Sequence, residues 1–291
     1  MKKITLMMLA LGLIAVSACK KESTTTTTTT PTVAFLAPTT PMKKAAVLED
    51  FTGVRCGYCP DGHAVAKALE TANPGKVVVM CVHTGQYADP SSGWANFTTA
   101  FGAAIAGQTQ LTGYPAGTMN RKVFSGLGMT AGGTAMGRGN WTSAATQVMA
   151  ENSPVNIGAK ATYNASTKVI TVKVDLYYTA TETVPNSINV AFLQNKLICK
   201  QSGGTPDANN YEQNNVLRHL LTGQWGELVP TASTKTATKY SKTYTYTVPA
   251  DYNGATIPPG GGAVTIANCD IAVFVARGQG EILNAIKVKV Q

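Results

Sequence analysis

The most informative feature of this sequence is a pair of cysteines separated by two residues. Cys56 and Cys59 follow an apolar run, Ala45 to Leu48, and precede a segment from Asp61 to Ala72 with helical spacing of its apolar residues. The pair is therefore predicted at a strand-to-helix junction. The unpaired amide groups at a helix start favour the thiolate, the nucleophilic form of cysteine. A second cysteine three residues later can resolve a mixed disulfide.

Zinc sites also use the C-x-x-C spacing, so the alternative chemistry is metal binding. Zinc needs two further ligands, and the sequence has no second C-x-x-C and no H-x-x-x-H. His63 and His83 match no zinc spacing. The first residues indicate export to an oxidising compartment, which also favours a disulfide over a zinc thiolate. We therefore predict no metal and no cofactor.

Further residues follow the cysteines in a defined order. Asp50 lies six residues before Cys56, an apolar strand is predicted at 77–82, and a glycine-flanked Tyr114-Pro115 pair comes later. This ordered set resembles the thioredoxin superfamily. Arg55 stands before the first cysteine, where thioredoxins have a tryptophan.

The resemblance implies a role for each residue. Cys56 would attack, Cys59 would resolve, and Asp50 would take up the proton of the resolving thiol. Pro115 would follow a cis peptide bond in a loop that faces the cysteines, and the Tyr114-Pro115 backbone would pair with an extended substrate chain. The alternative for Pro115 is an ordinary turn proline.

Beyond residue 152 the pattern changes from helical to alternating. Strands are predicted at 155–163, 170–178, 188–198, 241–248, 271–276 and 286–290. Six strands with turns rich in glycine and proline favour an antiparallel β-sandwich. The predicted fold is thus an α/β thioredoxin-like domain at 43–151 followed by an all-β sandwich at 152–291. A polar and aromatic block at 211–227 is interpreted as a long loop folded back on the sandwich or as a binding surface.

Apart from the C-x-x-C pair and Cys19, the chain has three cysteines. Cys81, inside an apolar strand, is predicted to be a buried, inert thiol. Cys199 and Cys269 both fall at strand ends, and we consider a structural disulfide between them. Such a bridge would close a loop of about 70 residues and stabilise the fold by about 4 kcal/mol.

The first residues indicate export and anchoring. Residues 1–18 combine two lysines with a short apolar run, as in a signal peptide, and end in small residues before Cys19. This resembles the bacterial lipobox, which implies that Cys19 is lipidated and holds the protein on a membrane. The alternative is an ordinary secretory signal. Residues 19–42 include seven consecutive threonines and are predicted to be a tether.

Composition excludes other functions. The chain has a formal net charge of +9, but only 13% of its residues are charged, and the basic residues form no stripe interleaved with aromatics. Nucleic-acid binding is therefore not predicted. With 44% hydrophobic residues the chain is also not intrinsically disordered.

Taken together, the lipobox, the C-x-x-C segment, the Tyr114-Pro115 loop with Asn120-Arg121 after it, and the block at 214–218 are similar to the outer-membrane-protein-28 family of lipoproteins. The resemblance implies lipid anchoring at the outer membrane. It leaves two functions open. One is thiol–disulfide exchange on exported proteins, with a protein or peptide partner. The other is a non-catalytic surface binding or adhesion lipoprotein in which Cys56 and Cys59 form a structural disulfide.

Overall fold

The computed structural model of the chain describes residues 34–90, 93–252 and 262–291. The predicted signal peptide, Cys19 and the tether up to residue 33 lie outside the described residues. Residues Phe35–Gln291 form one compact unit. In the part of the chain that the structure describes, no helix is both long enough and apolar enough to cross a bilayer.

The elements before residue 151 include both strands and helices. In chain order they are β1 (Ala46–Thr52), α1 (Cys59–Ala72), β2 (Val77–His83), α2 (Gly102–Gly107), β3 (Ala116–Met119), β4 (Ala135–Gly137) and α3 (Trp141–Ala150). The predicted helix after the cysteines and the predicted strand at 77–82 are confirmed.

The elements after residue 151 are strands, apart from short 3-10 turns. They are β5 (Val155–Asn164), β6 (Val169–Tyr178), β7 (Asn186–Gln194), β8 (Leu197–Cys199), β9 (Tyr211–Gln213), β10 (Val216–Leu220), β11 (Glu227–Leu228), β12 (Lys239–Thr247), β13 (Cys269–Arg277) and β14 (Ile282–Lys289). Each of the six predicted strands is present, and the run predicted at 188–198 is divided between β7 and β8.

One mixed sheet runs through both halves of the chain. Its strand order is β14-β13-β7-β10-β2-β1-β3-β4, with β11 also paired to β7. Strand β10 lies between β7 and β2 and meets β2 in parallel through Val216 and Cys81. The block at 211–227, interpreted from the sequence as a long loop or a binding surface, therefore supplies a central strand. The predicted boundary after residue 151 does not divide two sheets, because strands from both sides of it hydrogen-bond in one sheet.

A second, antiparallel sheet in the order β12-β6-β5 packs on this large sheet. Its inward side chains share a core with those of β7 and β13, including Val172, Val174, Phe192, Ile271 and Val273. Two layers thus enclose a common core, as expected of the second half. The correction is that one layer is the shared mixed sheet, so the predicted free-standing antiparallel sandwich is not what the strands form.

Helix α1 is positioned by its small residues. Its buried face carries Cys59, Gly62, Ala66 and Leu69, which recur at the spacing of one helical face. A Cβ atom at Gly62 would lie only 3.0 Å from the Cβ atom of Pro115. Glycine is therefore what lets the Pro115 loop approach the helix one turn after Cys59.

Candidate functional site

Cys56 and Cys59 form a disulfide at the start of α1, with their Cα atoms 5.4 Å apart. Cys59 is the first residue of the helix and has no solvent exposure, while Cys56 is 2% exposed. Between them, Tyr58 is 70% exposed. The strand-to-helix junction predicted for this pair is confirmed, but both sulfur-bearing residues are buried in the oxidised chain.

The Tyr114-Pro115 loop lies against the same helix. The peptide bond between the two residues is cis, as the resemblance implied. Pro115 packs at Gly62, three residues after Cys59 and on the same helix face. The Tyr114 ring meets the ring of Tyr87 edge to face at 5.7 Å, and Tyr87 is partly exposed. The structure thus brings the proline loop to the helix that begins at the disulfide.

The disulfide is covered by residues 201–204, a segment that we call the strap. The Gln201 side-chain amide donates to the carbonyl of Cys56 at 3.0 Å and to that of Gly53 at 3.3 Å. The Ser202 amide donates to the Val54 carbonyl at 2.8 Å. Gly203 has a φ of +70°, and a Cβ atom there would lie 2.0 Å from the Gly57 carbonyl oxygen. Backbone therefore packs directly on the C-x-x-C turn.

Behind the disulfide lies a buried polar cluster. Asp50 on β1 is completely buried, and its Oδ2 lies 3.9 Å from His63 Nε2 and 3.9 Å from Cys81 Sγ, which donates to it. His63 Nε2 also pairs with the Thr52 hydroxyl at 2.9 Å, and His63 Nδ1 pairs with the Tyr211 hydroxyl at 2.9 Å. Because His63 is four residues after Cys59, this cluster lies on the helix face that carries the resolving cysteine.

Burial controls the protonation of these groups. It raises the pKa of Asp50 to about 8 and lowers the pKa of His63 to about 4. It also raises the pKa of the Cys81 thiol well above its ordinary value. All three side chains are therefore mainly neutral at pH 7, and the contact between Asp50 and His63 is not an ion pair. Cys81 is a free, buried thiol, as predicted.

The disulfide considered between Cys199 and Cys269 is absent, because both cysteines are free. The physical reason is that they belong to different cores. Cys199 packs with Val54 and Phe97 beside the C-x-x-C loop, whereas Cys269 lies in the core between the two sheets. The Sγ atom of Cys269 donates instead to the carbonyl of Thr265 at 3.3 Å.

A groove of about 1180 Å³ runs along the outer side of α1. His63, Cys81 and Tyr211 line it, together with Glu70 and Lys287. Lys287 pairs with Glu70 at this position. The groove thus connects the buried cluster with solvent.

The roles of three of these site residues were missed from the sequence. His63 was considered and set aside because its spacing matched no metal pattern. Gln201 and Tyr211 carry no local signal, since their partners are 145 and 148 residues away in the chain. Alignments of related sequences are the signal that could have linked such distant positions.

Comparisons with known proteins bear on the fold and the family. HBP35 of Porphyromonas gingivalis is 20% identical with a TM-score of 0.64, covering 86% of this chain and 76% of that one. A protein from Agrobacterium tumefaciens is 11% identical with a TM-score of 0.52, and the match covers 84% of this chain and 94% of that one. At these identities the similarity concerns the fold alone. No curated protein matches the chain.

A domain of the outer membrane lipoprotein Omp28 from Porphyromonas gingivalis is 24% identical, covers 47% of this chain and 96% of its own, and has a TM-score of 0.32. A family model described as outer membrane protein Omp28 matches residues 103–291. The matched stretch begins after the C-x-x-C segment, so it does not bear on the disulfide. It covers well over half of the sequence, and the chain therefore belongs to the Omp28 family of outer membrane proteins.

Proposed function

We propose that this protein catalyses thiol–disulfide exchange on exported proteins. The observation that carries the proposal is the Cys56–Cys59 disulfide at the start of α1, with the Pro115 loop packed on the same helix face. The helix start lowers the thiol pKa of a cysteine placed there, which makes it a better nucleophile and leaving group near neutral pH.

The exchange balances as two successive displacements. In the reduced protein, the Cys56 thiolate attacks one sulfur of a substrate disulfide, which forms a mixed disulfide and releases one substrate thiolate. Cys59 loses its proton to solvent, and the resulting thiolate attacks Cys56 Sγ. This second step releases the other substrate thiolate and restores the Cys56–Cys59 disulfide. Two electrons pass from the protein to the substrate, and the reverse sequence oxidises a substrate dithiol.

The substrate must reach sulfurs that are buried in the oxidised chain. The strap is the segment to be displaced, because it pairs with the backbone carbonyls of Cys56 and Val54. Tyr58, between the two cysteines, is exposed, and Tyr87 contacts Tyr114, the residue that precedes Pro115. Tyrosines offer amphipathic contact area to an extended peptide. We therefore expect a protein or peptide segment rather than a small molecule.

A trapping experiment tests this function. Cys59→Ser leaves Cys56 as an unresolved nucleophile, and a mixed disulfide with a cysteine-containing peptide disulfide should accumulate. The matched control Cys56→Ser should form none. The reduction potential of the pair should lie between about −120 and −270 mV, as in known catalysts. No adduct with Cys59→Ser, together with a potential below about −300 mV, would reject the catalytic function.

The burial of both cysteines specifically favours a second function, that of a non-catalytic binding lipoprotein with a structural disulfide. Closing a loop of four residues stabilises the folded state by about 2 kcal/mol in the chain-entropy model. In this case a Cys56→Ser/Cys59→Ser variant should lose about that much unfolding free energy and keep its partner binding. Loss of binding without loss of stability would contradict the structural function.

For either function, we propose that a lipid on Cys19 anchors the protein to the cell envelope. The support is the signal-like segment that ends in small residues before Cys19 and the membership in an outer membrane family. Cys19→Ala should abolish incorporation of labelled fatty acid and release the protein from the membrane fraction. Retention of the label in this variant would rule out Cys19 as the lipidation site.

A further inference from the structure

The buried cluster behind the disulfide contains three different metal-ligating groups. A carboxylate oxygen of Asp50, a ring nitrogen of His63 and the sulfur of Cys81 all lie within 4.8 Å of one another. The three side chains come from β1, α1 and β2, elements that the core holds in place. They lie outside the exchange chemistry proposed above, which uses only Cys56 and Cys59.

The ligand types and spacing suit a zinc-like ion. Oxygen, nitrogen and sulfur ligands around tetrahedral Zn²⁺ stand about 3.3–3.5 Å apart, given bond lengths of about 2.0–2.3 Å. Asp50 Oδ2 lies 3.9 Å from both His63 Nε2 and Cys81 Sγ. To bind one ion, these two pairs would have to close by about half an ångström, and the His63 and Cys81 ligand atoms, which lie within 4.8 Å of each other, by up to about 1.3 Å. Mg²⁺ and Ca²⁺ prefer all-oxygen sites and are disfavoured by the thiolate and the imidazole.

Asp50 supplies an independent observation. Its carboxyl group is completely buried, and Oδ1 has no hydrogen-bond partner among the described residues. A buried carboxylate oxygen without a partner costs free energy, so proteins rarely leave one. A cation held by this carboxylate would offset that cost.

His63 is oriented for coordination through Nε2. Its other nitrogen, Nδ1, pairs with the Tyr211 hydroxyl at 2.9 Å, which is the kind of contact that orients a ligating histidine and selects its tautomer. The Thr52 hydroxyl is hydrogen-bonded to Nε2 and would have to turn away before this nitrogen could bind an ion. An ion can arrive through the groove, because both His63 and Cys81 line it.

From these observations we propose that Asp50, His63 and Cys81 bind a divalent zinc-like cation, and that Asp50 and the Cys81 thiol release their protons to solvent as the ion binds. Three protein ligands leave a tetrahedral ion one position for water or another ligand. In this role Asp50 is a metal ligand, which replaces the proton-acceptor role that the resemblance implied. The proposal goes beyond the exchange function and does not depend on it.

Cobalt is a suitable probe, because Co²⁺ bound by a thiolate shows a charge-transfer absorption that other ligands do not produce. The titration uses the Cys56→Ser/Cys59→Ser chain, which removes the exchange thiols as competing ligands. One equivalent of Co²⁺ should bind with this absorption and with the visible bands of tetrahedral cobalt. Added Zn²⁺ should displace it.

Further variants on the same background identify the ligands. Cys81→Ser should abolish the charge-transfer absorption, and Cys199→Ser is the matched control that should keep it. His63→Gln retains every remaining thiol and should still lose tight binding. Tyr211→Phe should weaken affinity about 10- to 100-fold through the lost orientation of His63. Circular dichroism establishes that each variant is folded.

Several results would overturn the proposed cation site. The absence of stoichiometric cobalt binding, or a charge-transfer absorption that survives Cys81→Ser, would do so. A Co²⁺ affinity of the His63→Gln variant equal to that of its parent chain would also exclude the proposed site. These outcomes are separate from failure of the exchange function, because the test chain lacks both exchange cysteines.

Discussion

Replacing Gln201 by alanine tests whether the strap controls access to the disulfide. The Gln201 side chain is completely buried, donates to the Cys56 and Gly53 carbonyls, and accepts from Gln213 Nε2 at 2.7 Å. Gln201→Ala removes all of these bonds and keeps the backbone bond of Ser202. The strap should then open more often without global unfolding.

The expected size follows from the bonds that are lost. A buried hydrogen bond contributes about 1 kcal/mol net, so the two bonds to the C-x-x-C turn contribute about 2 kcal/mol to the closed state. Since 1.4 kcal/mol corresponds to a tenfold change in an equilibrium constant, the open population should rise about 30-fold. If the strap closes faster than the reductant reacts, the reduction rate rises by the same factor.

The assay is the rate at which dithiothreitol reduces the Cys56–Cys59 disulfide, followed by quenched thiol labelling and mass spectrometry. Urea denaturation of each variant measures any change in global stability. Asn210→Ala is the control, because Asn210 is an exposed residue of the same loop whose side chain donates to Asp207 within that loop. An unchanged rate in Gln201→Ala, or an equal increase in Asn210→Ala, would refute the idea that the strap limits access.

Three further predictions concern groups that hold the sheet together. Arg121→Met leaves the completely buried Glu49 carboxylate without its partner and should lower the unfolding free energy, measured by urea denaturation, by about 3–5 kcal/mol. The double variant Arg121→Met/Glu49→Leu should recover part of this loss. Additive losses from the two substitutions would contradict the pairing. Asn120→Ala removes three buried hydrogen bonds, to main-chain groups of Val47, Ala45 and Ile282, and should lower the unfolding free energy by about 3 kcal/mol in the same assay. A decrease below about 1 kcal/mol would contradict this prediction. Burial alone would raise the pKa of Glu182, but the two hydrogen bonds and the positive charge of Arg277 outweigh this effect of burial and lower the pKa below 4.5. The stability that this pair contributes is therefore present above pH 4.5 and is lost as the pH falls through the pKa of Glu182 in the folded protein. Glu182→Gln should flatten that acid-side decline in denaturation curves, and an unchanged decline would assign it to other groups.

The local elements of the site could be predicted because their signals lie within a few residues. Helix α1 follows from the spacing of its apolar residues, and Pro60 in its first turn is compatible with a helix start. Strand β2 is a continuous run of apolar residues, as expected of a strand buried on both faces. The position of the cysteine pair between a strand and a helix followed from these two patterns.

The partners across the sheet could not be predicted in this way. Val216 and Cys81 are paired although they are far apart in the sequence, and the polar residues around Val216 favoured a loop. Periodicity shows which face of a strand is buried, but it does not show which strand lies beside it. The shared sheet was therefore missed, and with it the continuity between the two halves.

Sequence alone determined that this chain has two closely spaced cysteines at a helix start, an α/β half, a strand-rich half and a family resemblance. Each of these depends on residue types and short spacings. Tertiary structure alone decided that Gln201 covers the disulfide and that Asp50, His63 and Cys81 meet behind it. The reason is that such contacts join residues from separate elements, and only the packing of the core brings those elements to within a few ångströms.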